Sequence, residues 1–257
     1  VQTITDGDGD TAEESIDVGL RLGFQDDAPP VPAQPAPVTI DLTGGDVRIT
    51  GTSAEWDEVF DENDVNAEAR FITDNDSTDG DIQLEWGTPF GNTESSGYEF
   101  ELSGDSLQVG QPTTIGTFTH NNFPLSGSSI VLGETDLDLS FNLAVDGDEQ
   151  EIEVEVDIIH TETPNSSGSP ADIVEILGFN VSIANTNSTS TTFQVGFREF
   201  TFSVDGFVVG GSGDASTSLT VNTAEGQATN LDLQVSLTAV DITPFAEGSI
   251  DISDFGA

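Results

Sequence analysis

Residues 152–158 read Ile152-Glu153-Val154-Glu155-Val156-Asp157-Ile158. Every second side chain is aliphatic, and every one between is acidic. Successive side chains of an extended strand point to opposite faces, so this stretch has one dry face and one wet face. The same period of two recurs in Ile82-Gln83-Leu84-Glu85-Trp86, in Tyr98-Glu99-Phe100-Glu101-Leu102 and in Leu137-Asp138-Leu139-Ser140-Phe141-Asn142-Leu143. It returns over residues 179–183, 200–204 and 231–237. Clusters of Gly, Asn, Asp and Ser separate these runs, as turns require. The pattern predicts an all-β chain: an antiparallel β-sandwich or jelly roll with long loops. Asp146-Gly147 lies where a hairpin turn belongs. One stretch departs from the pattern. Thr52-Ser53-Ala54-Glu55 has capping-box spacing, and Trp56, Val59 and Phe60 follow at helical spacing, which predicts one short helix there.

The chain has 257 residues with 4 Lys plus Arg against 48 Asp plus Glu, a net charge of −44. Nucleic-acid binding needs Lys and Arg to displace counterions, and docking on anionic lipid needs a basic patch, so this charge excludes both. No apolar run approaches the roughly 20 residues of a membrane span. Zero Cys excludes disulfides, thiolate metal sites and Cys nucleophiles. Zero Met implies a piece of a longer protein. Such charge commonly signals disorder, but 35% of the residues are hydrophobic and fall in ordered patterns. Two explanations of the acidity stay open: a halophile surface of scattered solvated acids, or carboxylates clustered around calcium.

The stretch 28–37, APPVPAQPAP, holds five of the eleven prolines and reads as a semi-rigid linker. It divides the chain into terminal strands of a flanking unit (1–28, with strand-like pieces at 1–5 and 15–24), the linker (29–37), a β-sandwich (38–245) and an exit segment (246–257). Two strands alone bury no core, so the first segment is expected to belong to another domain or to pair with the exit segment.

Three acidic groups have the spacing of a calcium loop. Asp6, Asp8 and Asp10 stand at alternate positions, with Asp17 further on. In an extended loop alternate carboxylates converge, and calcium takes about 6–8 oxygen ligands. Asp74, Asp76, Asp79 and Asp81 crowd a loop between two strand patterns; unless a cation holds them they repel. Asp57, Asp61, Glu62 and Asp64 form the third group. Solvated acidic turns are the competing reading for all three. The chain's two histidines each precede an acceptor-rich segment: His120 with Asn121 and Asn122, and His160 with Glu162 and Asn165. Either side-chain hydrogen bonds pin two loops, or the loops meet at one rim and, with Asp172, form a ligand pocket. No G-x-S-x-G, H-E-x-x-H or P-loop is present, and phosphoryl transfer lacks its cationic clamp. No enzymatic activity is expected; a polysaccharide-acting enzyme is the weaker class.

Two resemblances sharpen the expectation. Ile4-Thr5-Asp6-Gly7-Asp8-Gly9-Asp10-Thr11-Ala12, Ser15-Ile16-Asp17 and Phe24-Gln25-Asp26-Asp27 resemble the end of a repeat of giant repeats-in-toxin adhesins. Glu85-Trp86-Gly87-Thr88-Pro89, Ser96-Gly97-Tyr98-Glu99-Phe100, Gly116 to Pro124 (GTFTHNNFP), Glu162-Thr163-Pro164-Asn165 and Asp172-Ile173-Val174 are similar, in order, to the choice-of-anchor K domain of bacterial surface proteins. The resemblance implies a monomeric, calcium-dependent ligand-binding module, secreted by a type I system and displayed on a bacterial surface. Its ligands would be peptides or proteins on other cells, gripped through a carboxylate, for attachment or biofilm. A carbohydrate-binding domain and a purely structural extender are the alternatives.

Overall fold

The computed structural model describes residues 2–5, 11–14, 47–63, 71–74, 81–91, 94–103, 106–127, 129–145, 147–164, 171–182, 188–196 and 198–242. The chain divides into two compact units, Val1–Gly44 and Gly45–Ala257. The expected linker and exit segment lie outside the described residues, as does the strand expected over 15–24. In the first unit β1 (Gln2–Thr5) pairs antiparallel with β2 (Thr11–Glu14). Thr5 stands opposite Thr11 and Gln2 opposite Glu14.

The second unit is a β-sandwich of two antiparallel sheets. One sheet has the order β14 (Leu219–Thr223), β11 (Asp172–Ser182), β10 (Asp148–Thr161), β9 (Leu132–Val145), β3 (Val47–Asp61), β7 (Ser106–Leu107). The other runs β12 (Ser190–Val195), β13 (Arg198–Val209), β15 (Gln227–Asp241), β8 (Pro112–Asn122), β6 (Ser96–Leu102), β5 (Asp81–Trp86), β4 (Ile72–Asp74). The alternation in the sequence becomes the inside and outside of this sandwich. Ile152, Val154, Val156 and Ile158 of β10 are buried, as are Leu137, Leu139, Phe141 and Leu143 of β9. From the facing sheet come Ile82, Leu84, Phe100, Phe118, Phe200, Phe202, Leu231 and Leu233. Where a hairpin is expected at Asp146-Gly147, β9 and β10 pair antiparallel with Val145 opposite Asp148, and Gly147 takes φ +93°; Asp146 lies outside the described residues.

The expected helix near Thr52 is strand. β3 runs unbroken in secondary structure from Val47 to Asp61, beside β9. The helical appearance has a physical cause. Ala54 and Trp56 point inward with period two; a bulge after Asp57 then shifts the phase, and Val59 and Asp61 become the buried positions. Glu58, at φ +48°, is the non-glycine residue that absorbs this shift. A phase jump inside a strand imitates a period near 3.6, and twelve positions of register with β9 outweigh local helix capping.

The acids crowd on the outer face of this sheet. Across three strands, Glu55, Asp138 and Glu155 stand in one row, and Asp57, Asp136 and Asp157 in the next. Like charges directly opposite each other destabilise a sheet, by on the order of 0.2–1 kcal/mol per pair. Partial burial first, then Asp157 and Glu58, lift the Asp136 carboxyl to about 7; burial, then Glu155 and Asp57, lift Asp138 to about 6. A carboxyl whose folded pKa is raised binds its proton more tightly in the folded state. Its contribution is therefore most favourable at low pH and is lost as pH rises from its ordinary value of 3.8 towards about 7. The Asp136→Asn variant should melt higher than the parent above pH 7 in low salt and show a shallower fall in Tm between pH 4 and 7. Thermal melts across that range check both, and identical slopes in the two proteins would contradict the assignment.

Candidate functional site

The inward series of β8, β10 and β11 continue past the apolar core. In β8 it goes Phe118, His120, Asn122; in β10 Ile158, His160; and β11 begins with Asp172 before Val174. All of these polar residues are buried, with relative exposures of 1% for His120, 0% for Asn122, 4% for His160 and 0% for Asp172. Pleating leaves them no choice, because a residue two positions beyond a core residue faces the same way. The imidazoles of His120 and His160 meet edge to face with ring centroids 5.2 Å apart, one from each sheet. Trp86 and Tyr98 wall the cluster: Trp86 lies 4.8 Å from the His160 ring and Tyr98 5.3 Å from the His120 ring.

Each polar side chain is tied down through one atom. Tyr98 Oη and His160 Nδ1 hydrogen-bond at 2.9 Å. His120 Nδ1 and Thr223 Oγ1 do so at 2.9 Å. The Asn122 amide donates to the Thr223 carbonyl at 2.7 Å. Asp172 Oδ1 accepts from the Thr163 backbone N–H at 2.8 Å and from its hydroxyl at 2.9 Å. The second atom of each remains buried without a hydrogen bond: His120 Nε2, His160 Nε2, Asn122 Oδ1 and Asp172 Oδ2. Glu162, on the segment after β10, brings Oε2 within 3.5 Å of His160 Nε2. Glu225, in the turn from β14 to β15, comes within 4.8 Å of both Glu162 and Asp172, ligand atom to ligand atom. His120, His160 and Asp172 form a second such group. Glu162 and Glu225 are only partly buried as residues, whereas the histidines and Asp172 are buried, but the carboxylate oxygens of both glutamates are enclosed as well.

The electrostatics follow from burial. Desolvation pulls the His120 imidazole down to about 2, with His160 adding to it, and holds His160 at about 4 against the pull of Asp172. Both rings are neutral at pH 7. Burial lifts Glu162 to about 7, against the Trp86 indole N–H and the Asp172 side chain, which favour its charge. Burial also raises Asp172 and Glu225. Two neutral imidazoles and three reluctant carboxylates are the donor set that a divalent cation would stabilise.

A second feature lies on the outer face of the other sheet. Glu85, Gly97 and Asn121 stand side by side on β5, β6 and β8. Gly97 carries no side chain, and a Cβ there would come within 2.9 Å of the Leu84 carbonyl. The gap is the floor of a depression of about 410 Å3, whose walls include Gln83, Glu85, Glu94, Glu99, Asn121 and Phe123. Its rim is fastened where Ser96 Oγ donates to the Phe123 carbonyl at 2.9 Å and accepts from its N–H at 3.0 Å.

Of the residues singled out in the sequence, His120, Asn122, Glu162 and Asp172 thus lie at one polar end of the sandwich interior. Asn121 does not join them. It belongs to the same strand as Asn122, rather than to a loop as expected, so it points to the opposite side and lines the depression. Asp57 lies on the outer face opposite Asp136, whereas Asp61 is buried opposite Leu132 and caps the Asn63 N–H at 2.9 Å, so the bulge turns these two apart. Asp74 ends β4 and Asp81 begins β5. Asp6, Asp8, Asp10, Asp17, Asp64, Asp76, Asp79 and Asn165 lie outside the described residues. Sequence reasoning missed Glu225, Thr223 and Trp86 as parts of the cluster. It offered Tyr98 or Phe123 as an apolar wall beside His120; Tyr98 walls the cluster and Phe123 the outer depression. Glu225 sits in an ordinary Ala-Glu-Gly turn and reaches the cluster because Gly226 N–H donates to the Asn122 carbonyl at 2.8 Å.

The Tyr98→Phe variant keeps the ring and removes the hydroxyl from His160. A buried polar atom left unpaired costs about 1–3 kcal/mol, so the variant should lose stability by that amount in denaturant titration with an unchanged m-value. No loss at all would show that this hydrogen bond does not hold the ring.

The chain matches no protein-family model, and no curated protein matches it.

Proposed function

We propose that this chain is a non-catalytic ligand-binding module of a bacterial surface adhesin, taking peptide or protein ligands at the depression over Gly97 with calcium as the bridging ion. The observation that carries this reading is the depression itself. It is concave, built on paired strands of a rigid sandwich, and walled by oxygen donors: the Glu85, Glu94 and Glu99 carboxylates and the Gln83 and Asn121 amides. Burial, then Asp81 and Glu101, raise the Glu99 carboxyl, which marks a site where negative charge is crowded. Hard oxygen donors suit calcium, which takes about 6–8 of them. An ion held there with ligand positions to spare is the largest local charge and turns an acid-lined site into one that accepts a carboxylate. Phe123 offers the apolar wall that a peptide side chain would pack against. The resemblance to adhesin repeats and to a surface-anchored domain family supports the same reading, as does the lack of enzyme motifs. Modest affinity per copy would be multiplied by many copies on a cell.

Isothermal titration decides the matter. A short peptide with a free C-terminus should bind in millimolar calcium and lose binding in a chelator while circular dichroism still reports the folded sandwich. Amidating the peptide should abolish binding, and Glu99→Gln should weaken it by about tenfold, near 1.4 kcal/mol. Binding of sugars with vicinal hydroxyls, and not of peptides, would replace the peptide reading with a carbohydrate one. Equal binding by the folded, calcium-free protein would sink the bridging ion.

A further inference from the structure

The interior cluster is chemically unlike the calcium sites anticipated from the sequence. We infer that His120 Nε2, His160 Nε2 and Asp172 Oδ2 hold one borderline divalent transition ion, of which Zn2+ is the probe, with Glu162 and Glu225 closing the site on the solvent side. This goes beyond the ligand-binding reading and does not depend on it.

Four observations converge. First, the donors are the right kind. Imidazole nitrogen suits zinc-class ions, whereas calcium takes oxygen. Second, the distances are near to what an ion needs. One donor atom from each of the three side chains lies within 4.8 Å of the other two. Ligand bonds of about 2.1 Å at tetrahedral angles put donor atoms about 3.4 Å apart, so loading draws the group together by up to about 1.4 Å. Third, the atoms facing inward make no hydrogen bond although His120, His160 and Asp172 are 1%, 4% and 0% exposed; His160 Nε2 has only Glu162 Oε2 beside it, at 3.5 Å. Buried acceptors in this state are rare and costly. Fourth, the outer atoms are anchored as ligating side chains are, each ring nitrogen or carboxylate oxygen opposite the free one being held by a partner.

The His120 tautomer follows from that anchoring. Thr223 Oγ1 donates its proton to Thr229 Oγ1 at 2.9 Å. Toward His120 it is left to accept, so Nδ1 of the neutral ring carries the hydrogen. Nε2 is then a bare lone pair aimed into the cluster, the form that binds a metal. Asp172 is set in a similar manner, since both Thr163 donors go to Oδ1 and the carboxyl is turned towards Glu162. Thr223 and Thr163 are therefore positioning residues.

The test uses the whole chain without a histidine tag. The protein is stripped with a chelator, then dialysed against low Zn2+ in millimolar calcium, which occupies the many surface carboxylates. Metal analysis should find one Zn2+ retained per chain. The His120→Gln/His160→Gln variant should bind Zn2+ at least about a hundredfold more weakly, with the fold checked by circular dichroism. Should that variant not fold, the Co2+-loaded parent decides: two shifted exchangeable imidazole N–H resonances are expected in its proton spectrum. No retained zinc in folded protein, displacement by calcium, undiminished binding by the folded variant, or a Co2+ spectrum without those resonances would each overturn the assignment.

Discussion

The period of two along an extended strand is the constraint on which this molecule rests. It sorts β10 into aliphatic and acidic faces, and it does not stop where the supply of apolar residues stops. The alternation carries His120, Asn122, His160 and Asp172 inside because Phe118, Ile158 and Val174 are inside. The sandwich is thus filled with aliphatic and aromatic side chains along most of its length and with polar ones at one end. A polar end is stable only if its groups are paired. Half of the pairing is internal, through Tyr98, Thr163 and Thr223. The other half of each functional group is turned to a common point.

The same alternation governs the charge. A net charge of −44 is compatible with a core because, Asp61 and Asp172 apart, the described acids of the strands occupy outward positions. Where three long strands run side by side, those positions fall into lateral rows, and neighbouring carboxylates repel. That repulsion is a property of register, and scattered surface acids would not produce it. Some of it is relieved by neutral hydrogen-bond donors set among the rows: the Asn180 amide donates to Glu155 at 2.6 Å and the Ser182 hydroxyl to Glu153 at 2.9 Å. On the other sheet Arg198 lies over the Phe200 ring and 3.4 Å from Asp241.

The fold was legible because alternation is a local signal. Residues 82–86, 98–102, 137–143, 152–158, 200–204 and 231–237 all fall in strands. The misreading at Thr52 came from the one device that breaks the period without ending the strand, a bulge, which composition does not reveal. The cluster was half legible. His120, Asn122, Glu162 and Asp172 stood out as unusual residue types near strand ends, but nothing local says that strands 40 residues apart in sequence end at the same place. That information is in the register: His160 opposite Val174, and Asp172 opposite Thr223. Nor could loops and strands be told apart at Asn121-Asn122, where polar residues continue β8 and send one amide inward and the next outward.

Donor chemistry keeps the two candidate ion sites from competing. The outer depression offers carboxylate and amide oxygens at an open surface, where a bound calcium would be weakly held and highly coordinated and would leave positions for a ligand. The interior cluster offers two imidazoles in a dry setting, where an ion with few, short bonds is held by groups already oriented by their neighbours. β8 connects them directly, with Asn121 in one wall and His120 and Asn122 in the other site. A displacement of β8 that drew His120 toward Asp172 would move Asn121 by a comparable amount, because adjacent residues share one backbone. The interior ion would then act on ligand binding by holding the end of β8 in place, and the two sites would be coupled through a single strand while binding different ions.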